Sequence, residues 1–262
     1  MAGTYSPPPM SLLALPALAD NYIWLCADAA GNALVVDPGA AAPVQTALAQ
    51  RGWCLRAIVL THHHADHIGG AAQLADATGA PIHAPVDARI GRADVRVAEG
   101  DRIELAGGAL ALDVIAVPGH TMTHLAYVGP DLLFCGDTLF SVGCGRMFEG
   151  TPTQMLASLD RLAALPGTTR LCCGHEYTLA NCAFARSIEP GNAALAAREA
   201  AVRELRARGE PSLPSTLADE IACNPFLRVD AAAIVAAIPA TSRVERFAQL
   251  RRRKDEFRVA ST

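Results

Sequence analysis

The sequence has few charged residues, few aromatic residues and no long hydrophobic run, and each shortage excludes a class of protein. Charged residues make up 18% of the 262 residues and aromatic residues 5%, against 51% apolar residues, which excludes a disordered chain. Lysine and arginine number 22 against 26 aspartate and glutamate, so no broad basic face is expected and nucleic acid is not an expected partner. The length predicts one or two domains with a sizeable core.

A signal for export or membrane insertion is also missing. The longest early apolar run, residues 12–19, is short, contains Pro16 and follows a segment without lysine or arginine. We therefore expect a cytoplasmic protein, without a membrane partner, whose eight cysteines stay reduced and pack as small apolar residues. Residues 1–9, with three consecutive prolines, are expected to form a flexible tail, and a monomer is expected.

Short apolar runs alternate with turn residues up to about residue 176, a pattern typical of strands with interspersed helices. Four runs stop directly before a segment with histidine or aspartate: residues 57–60, 112–117, 132–135 and 171–173. If these strands share sheets, the polar residues that follow them emerge at a common edge.

The composition changes after residue 176 to alanine, leucine, arginine and glutamate with helical spacing. Asn192 is expected to cap a helix that runs to Arg208, with ion pairs between Glu199 and Arg203 and between Glu204 and Arg208. The sequence therefore predicts a first domain, residues 1–176, and a smaller helical domain, residues 177–262.

A capping-box pattern is expected to open the last helix. Ser242 stands at the cap position and Glu245 three residues later. Helical spacing predicts that this helix buries Val244, Phe247, Leu250 and Phe257.

The segment from Thr61 to His67 carries four histidines and one aspartate directly after a strand-like run. Imidazole nitrogen and carboxylate oxygen are the usual non-sulfur ligands of zinc and similar metals. Alternation at a strand end turns His62 and His64 to the same side and His63 elsewhere, whereas Asp66 and His67 are displaced enough to serve a second metal. The alternative is a solvent-exposed histidine-rich turn, or one ordinary core histidine with accidental neighbours.

Three other strand ends carry further ligand types, which favours the metal interpretation over that alternative. They are His120, Asp137 and His175. Five histidines and two aspartates, with one bridging carboxylate, give two metals nearly complete ligand sets and a shared water. This pattern predicts a dinuclear hydrolytic centre.

The H-x-H-x-D-H motif with the three later ligands resembles the metallo-β-lactamase superfamily. Further motifs are similar to those of hydroxyacylglutathione hydrolases, the glyoxalase II family: residues 20–22, 36–39, 136–140, 144–146, 174–178, 224–226 and 251–254. The resemblance extends over nearly the whole chain. It implies an α+β fold, an αββα metallo-β-lactamase-type sandwich followed by a smaller helical C-terminal domain that binds glutathione.

The resemblance also implies how the ligands are shared between two divalent metal ions. One metal would take three histidines: His62, His64 and His120. The other would take Asp66, His67 and His175, and Asp137 would bridge the two. Zinc is the expected metal, with iron and manganese as alternatives because the same ligands suit all three.

The activity implied by the resemblance is hydrolysis of S-D-lactoylglutathione to D-lactate and glutathione, the second step of methylglyoxal detoxification. A hydroxide held between the two metals would be the nucleophile, and Asp66 and Asp137 would be the catalytic carboxylates. Substrate contacts carried over from the family are Arg146, Tyr177, Arg251 and Lys254. Some family members have tyrosine at the position of Phe148, so this chain lacks that hydroxyl.

Other readings of the same residues remain open at the level of sequence. By spacing alone, Arg251 and Lys254 are typical of a solvated basic helix face. Asp37 is expected to be a turn residue, with a hydrogen bond to a ligand as the less favoured alternative, and His124 is expected to be packed beside the ligands.

The alternative functions are another hydrolase of this fold (a lactonase, a β-lactamase or a different thioesterase), an iron-dependent oxidoreductase or sulfur dioxygenase, and a non-catalytic glutathione- or metal-binding protein. Di-iron redox members have an acid at the position of His64, so the histidine here favours hydrolysis.

Overall fold

The computed structural model describes residues 10–105 and 110–258, and these form two compact units. The first unit contains residues up to 115 together with 127–130, and the second contains 116–126 and the residues from 131 onward. The expected tail, residues 1–9, lies outside the described residues. The domain boundary at residue 176 stays a prediction.

The first unit contains eight strands and three helices among its described residues. The strands are β1 Ser11–Ala17, β2 Asn21–Ala27, β3 Asn32–Val36, β4 Cys54–Val59, β5 Ile82–Pro85, β6 Val95–Val97, β7 Arg102–Glu104 and β8 Ala111–Ala116, of which only the last residue belongs to the second unit. The helices are α1 Ala41–Arg51, α2 Ala65–Ile68 and α3 Ala71–Thr78.

Strands β1 to β6 form one sheet in chain order. The first three strands pair antiparallel, and β3, β4, β5 and β6 pair in parallel. Helix α1 connects β3 to β4 and α3 lies between β4 and β5, because a parallel pair requires a crossover. The carboxyl ends of β3 and β4, where Val36 is paired with Val59, therefore lie side by side and bring the loops after them together.

The core of the first unit lies between this sheet and its helices. Every residue of β2 is buried, and α1 contacts both α3 and β1. Gly39, in the loop after β3, approaches the start of α2 so closely that a Cβ there would overlap the carbonyl oxygen of Asp66. This contact fixes the loop after β3 against the loop after β4.

The second unit contains most of the helices. Its strands are β10 Leu132–Gly136, β11 Leu139–Phe140, β12 Gly143–Cys144, β13 Arg170–Cys173 and β14 Ser215–Thr216, and β9, Leu125–Val128, has two residues in each unit. Its helices are α4 Pro152–Ala163, α5 Thr178–Ile188, α6 Ala193–Ala207, α7 Leu217–Cys223, α8 Ala232–Ala237 and α9 Arg243–Glu256.

Strand β10 pairs in parallel with β13, which pairs antiparallel with β14. Gly136 stands opposite Cys173, so the residues that follow these two strands emerge at the same edge. All four predicted ligand-bearing strands are confirmed, as β4, β8, β10 and β13.

Helix α6 confirms one expected ion pair and contradicts another. Asn192 caps the helix by accepting a hydrogen bond from the Leu195 amide at 3.1 Å. Arg203 lies 2.6 Å from Glu199, as expected. The prediction that Arg208 pairs with Glu204 is wrong. Arg208 is the C-cap residue of α6, and its guanidinium pairs with Glu210, 3.0 Å away.

Helix α9 begins as expected at Ser242, whose hydroxyl accepts from the Glu245 amide at 3.1 Å. The prediction of a full capping box is wrong. The Glu245 carboxylate accepts from the amide and hydroxyl of Thr241 and not from the amide of Ser242. Of the four residues expected to be buried, Phe247 and Leu250 are fully buried, and Val244 and Phe257 are half-buried.

All eight cysteines are free, and seven of them are buried, which agrees with their expected packing role. The residue that is exposed is Cys54. No helix in the described ranges has the length and apolar character that crossing a bilayer requires.

Candidate active site

Four predicted metal ligands lie in the first unit, in the loop after β4 and the first turn of α2. The rings of His62 and His64 lie edge to face, 79° from parallel, with His62 Nε2 3.0 Å from His64 Nδ1. The His67 ring lies 4.2 Å from that of His62, measured between centroids. His63 points elsewhere, with Nδ1 3.7 Å from the Asp87 carboxylate. The predicted alternation of the three neighbouring histidines is confirmed.

Asp37 has a larger role than the sequence indicated. Its buried carboxylate accepts hydrogen bonds from the amide and hydroxyl of Thr61, at 2.8 and 2.7 Å, and from Nδ1 of His67 at 3.0 Å. The preference for a simple turn residue was wrong, because the parallel pairing of β3 and β4 brings their carboxyl ends together. Asp37 orients His67 so that its other ring nitrogen, Nε2, faces the Asp66 carboxylate at 3.4 Å.

Asn21 is a second residue whose role sequence reasoning missed. Its side-chain amide donates to the carboxylate of Asp66 at 3.0 Å and to the carbonyl of the same residue at 3.3 Å. The signal in the sequence was the motif of residues 20–22, which the resemblance included without giving Asn21 a function. The structure shows that Asn21 orients a predicted ligand.

The other three predicted ligands lie in the second unit and cluster around one carboxylate oxygen. Asp137 Oδ2 is 3.5 Å from Nε2 of His120 and 3.3 Å from Nε2 of His175. All three residues are buried. Nδ1 of His120 donates to the Arg146 carbonyl at 2.8 Å, which leaves Nε2 as the nitrogen with a lone pair in the neutral ring.

The backbone of Asp137 is held by neighbours on both sides. Nε2 of His124 accepts from the Asp137 amide at 3.2 Å, which agrees with the expected packed position of His124 beside the ligands. A Cβ at Gly145 would overlap the Asp137 carbonyl oxygen, so only glycine fits there. Asp137 is therefore a fixed point of the second unit.

These donor sets fit divalent metal ions. Two of the histidines have one ring nitrogen bonded to an acceptor, His67 to Asp37 and His120 to the Arg146 carbonyl. This arrangement makes the opposite nitrogen the ligand atom and is usual around protein-bound metals. Within the first unit alone, atoms of Asp37, His62 and His67 lie within 4.8 Å of one another.

A cavity of about 420 Å³ lies within the second unit and contains every predicted substrate contact. Residues that line it include His120, Asp137, Arg146, Tyr177, Arg251 and Lys254. Arg258 adds a further cation to the wall. The excess of cations favours an anionic ligand.

Arg251 and Lys254 are supported by aromatic rings and are not part of a solvated face. Arg251 is only 4% exposed, and its Nη1 donates to the Cys144 carbonyl at 2.7 Å. Its guanidinium carbon lies 5.2 Å from the centre of the Phe226 ring, and the Lys254 ammonium lies 5.7 Å from that of Phe184. Burial and the neighbouring Arg251 guanidinium lower the pKa of Lys254.

Aromatic side chains pack against the predicted ligands of the second unit. Tyr177 stacks on His175, with centroids 4.7 Å apart and planes 2° from parallel. Phe148 is 64% exposed and meets the His120 ring at 5.2 Å. The ring of Phe148 lines the cavity without a hydroxyl group.

Cys144 also lines the cavity, but burial raises the pKa of its thiol to about 11 in spite of the nearby Arg251. A thiol with this pKa is protonated at neutral pH and a poor nucleophile. This agrees with a mechanism that needs no cysteine.

Two protein families match the chain in adjacent segments. Residues 18–175 match the metallo-β-lactamase superfamily, and residues 176–257 match the C-terminal region of hydroxyacylglutathione hydrolases. The hydroxyacylglutathione hydrolase of Xanthomonas campestris pv. campestris strain B100 is 53% identical over 257 residues, covering 95% of this chain and all of the relative. The hydroxyacylglutathione hydrolase of Cupriavidus taiwanensis is 54% identical, covering 93% of this chain and 98% of that one.

Solved structures show the same fold. ETHE1 from Myxococcus xanthus has a TM-score of 0.66 and 26% identity, covering 93% of this chain and 90% of its own. TTHA1623, solved in a di-iron-bound form, has a TM-score of 0.52 and 31% identity, covering 63% and 91%.

The matches confirm the predicted α+β metallo-β-lactamase fold followed by a distinct C-terminal region. The fold and the histidine and aspartate clusters together imply a divalent metal centre. The chain belongs to the hydroxyacylglutathione hydrolase family of the metallo-β-lactamase superfamily.

Proposed function

We propose that the chain is a metal-dependent thioester hydrolase that converts S-D-lactoylglutathione and water to D-lactate and glutathione, the second step of methylglyoxal detoxification. The observation that carries this proposal is the cavity of the second unit, which combines two predicted metal ligands, His120 and Asp137, with four cationic side chains. Glutathione has two carboxylates, so its thioester has the charge that these cations would bind. Relatives that share about half of the sequence are named for this reaction.

The proposed centre holds two divalent ions, zinc by expectation and iron or manganese as alternatives. The first ion would take His62, His64 and His120. The second would take Asp66, His67 and His175, with Asp137 bridging. The di-iron form of TTHA1623 supports iron among the alternatives. Bound divalent metal lowers the pKa of water to about 7 and stabilises negative charge on a carbonyl oxygen.

The side chains of this chain have separate tasks in the proposed reaction. Asp66 and Asp137 present carboxylates in fixed orientations, because Asn21 holds the first and His124 holds the backbone of the second. Arg251 and Lys254 would bind the glutathione carboxylates from α9. The thiolate leaving group needs no strong acid, since its pKa is far below that of an alcohol.

The remaining assignments belong to the same proposal. Residues 177–262 would form the glutathione-binding domain, with Arg251 and Lys254 as its contacts, and residues 1–176 the catalytic domain, which supplies Arg146. Tyr177 would contact the substrate beside His175, on which it stacks. We propose a monomer that acts in the cytoplasm.

The test combines elemental analysis of the purified protein with turnover of three substrates: S-D-lactoylglutathione, a lactone and a β-lactam. About two metal equivalents and selective turnover of the glutathione thioester are expected. Metal-loaded protein that hydrolysed the lactone or the β-lactam but not the thioester would identify another hydrolase. Metal and glutathione binding without turnover would identify a non-catalytic binding protein.

A further inference from the structure

We propose that Asp255 is a positioning residue of the substrate cavity, whose carboxylate holds Arg146 and Arg251 in one arrangement for an anionic group of the ligand. This inference rests on the proposed function, which supplies a ligand with carboxylates. It gives a task to an acidic side chain that sequence reasoning did not single out.

A single oxygen atom joins the two guanidinium groups. Asp255 Oδ1 lies 2.9 Å from Nη2 of Arg251 and 3.2 Å from Nε of Arg146. Arg251 and Asp255 are four residues apart on α9 and share a helix face, whereas Arg146 lies in the loop after β12. The carboxylate therefore ties that loop to α9 at the wall of the cavity.

The two arginines depend on this carboxylate to different degrees. Arg251 is buried and is also held by the Cys144 carbonyl and the Phe226 ring. The side chain of Arg146 is 60% exposed, so many rotamers are open to it unless a partner selects one. We expect loss of Asp255 to release Arg146 more than Arg251.

The geometry leaves donors for a ligand. The pair with Asp255 engages Nε of Arg146, so its two terminal nitrogens can meet a ligand carboxylate in the bidentate geometry that arginine favours. One carboxylate among Arg146, Arg251 and Lys254 leaves an excess of positive charge. Asp255 can therefore order the cations without cancelling their attraction for an anion.

The kinetic test compares three single variants of the metal-loaded full-length chain with S-D-lactoylglutathione as substrate. Asp255→Ala is expected to raise KM about tenfold with kcat within about twofold of the unaltered chain. Asp255→Asn keeps an oxygen that accepts from guanidinium and is expected to recover most of this loss. Glu256→Gln removes the same charge from the next, exposed position of α9 and is expected to leave KM unchanged.

Two further measurements separate positioning from other effects. The D-lactoyl thioester of N-acetylcysteamine lacks the glutathione carboxylates, and its kcat/KM should be equal in Asp255→Ala and the unaltered chain. Calorimetry with S-methylglutathione, which cannot be hydrolysed, should show the same roughly tenfold weakening in Asp255→Ala without any turnover.

Three results would overturn the inference. The first is an unchanged KM in Asp255→Ala, and the second is a lower KM in both Asp255 variants, which would show that the carboxylate competes with the ligand. The third is an equal loss of kcat/KM with the N-acetylcysteamine thioester, which would show a general structural defect. Failure of the proposed function is distinguishable. In that case the unaltered chain would not hydrolyse the thioester, while S-methylglutathione binding would still test Asp255.

Discussion

The predicted metal ligands and the cationic side chains of the cavity are held in different ways. The ligands are short side chains close to strand ends, and neighbours such as Asp37 and Asn21 fix their orientation through hydrogen bonds. The cations are long side chains on or just after α9 and in the loop after β12, and two of them, Arg251 and Lys254, lie over aromatic rings. Short side chains near strand ends have few rotamers, whereas long cationic side chains have many and depend on a partner such as Asp255 to select one. Changes among the ligands should therefore affect kcat, and changes among the cations should affect KM.

The largest effect is expected from Asp137→Ala. The variant removes the carboxylate that lies within 3.5 Å of both His120 and His175, so metal content should fall and turnover should drop by about a thousandfold or more. Elemental analysis and steady-state kinetics measure both. Asp131→Ala, which removes a surface aspartate paired with Arg170, should change neither. Full metal content in Asp137→Ala would refute the bridging role.

A smaller effect on the same side of the comparison is expected from Asp37→Asn. The amide replaces one acceptor oxygen with a donor, so it cannot satisfy both Thr61 and His67 as the carboxylate does. Metal affinity or kcat should fall about 10- to 100-fold, the range found when hydrogen-bond partners of metal ligands are lost. Asp28→Asn, at the half-buried turn after β2, is the matched control because its carboxylate also accepts from a backbone amide and a side chain but lies far along the chain from the predicted ligands. An unchanged metal affinity would show that His67 keeps its orientation without Asp37.

The cation side of the comparison is tested by the double variant Arg251→Ala with Lys254→Ala. KM for the glutathione thioester should rise about tenfold or more while kcat changes little, because the ligands are untouched. The control replaces the exposed neighbours Arg252 and Arg253 with alanine. An unchanged KM in the first double variant would refute the role of α9, and thermal unfolding shows whether loss of the buried Arg251 weakens the fold.

The smallest expected effect is a pH dependence of KM. Burial lowers the pKa of Lys254, so this side chain loses its charge on rising pH earlier than an ordinary lysine does. KM should therefore start to rise below the usual lysine range. Lys254→Arg keeps its charge at alkaline pH. Its KM there should therefore be a few-fold lower than the KM of the unaltered chain. Superimposable KM profiles for the two proteins would show that Lys254 does not contact the anion.

The sequence predicted the strands and helices that carry the candidate site residues, because the signals for these elements are local. The strands that precede His120, Asp137 and His175 are visible as apolar runs followed by a ligand type, and Asn192 marks a helix start by its own side chain. These patterns need no knowledge of the neighbouring strand.

The partners of side chains could not be predicted in the same way. Asp37 binds His67 because β3 and β4 are adjacent and parallel, which no spacing along the chain reveals. Arg208 pairs with Glu210 and not with Glu204, because the chain turns at the end of α6. The pair of Asp255 with Arg146 could not be predicted, because it forms only where the loop after β12 lies against α9 in the fold.

The close contacts of Gly39 and Gly145 have a consequence for which substitutions the chain tolerates. Neither has a functional group, yet a single methyl at either position would collide with the backbone of Asp66 or Asp137. In a deep mutational scan both positions should be as intolerant of replacement as the histidines, and an alanine there should act as an active-site lesion. The absence of a side chain at these two positions is therefore a requirement of this chain, in addition to its predicted ligands and its charges.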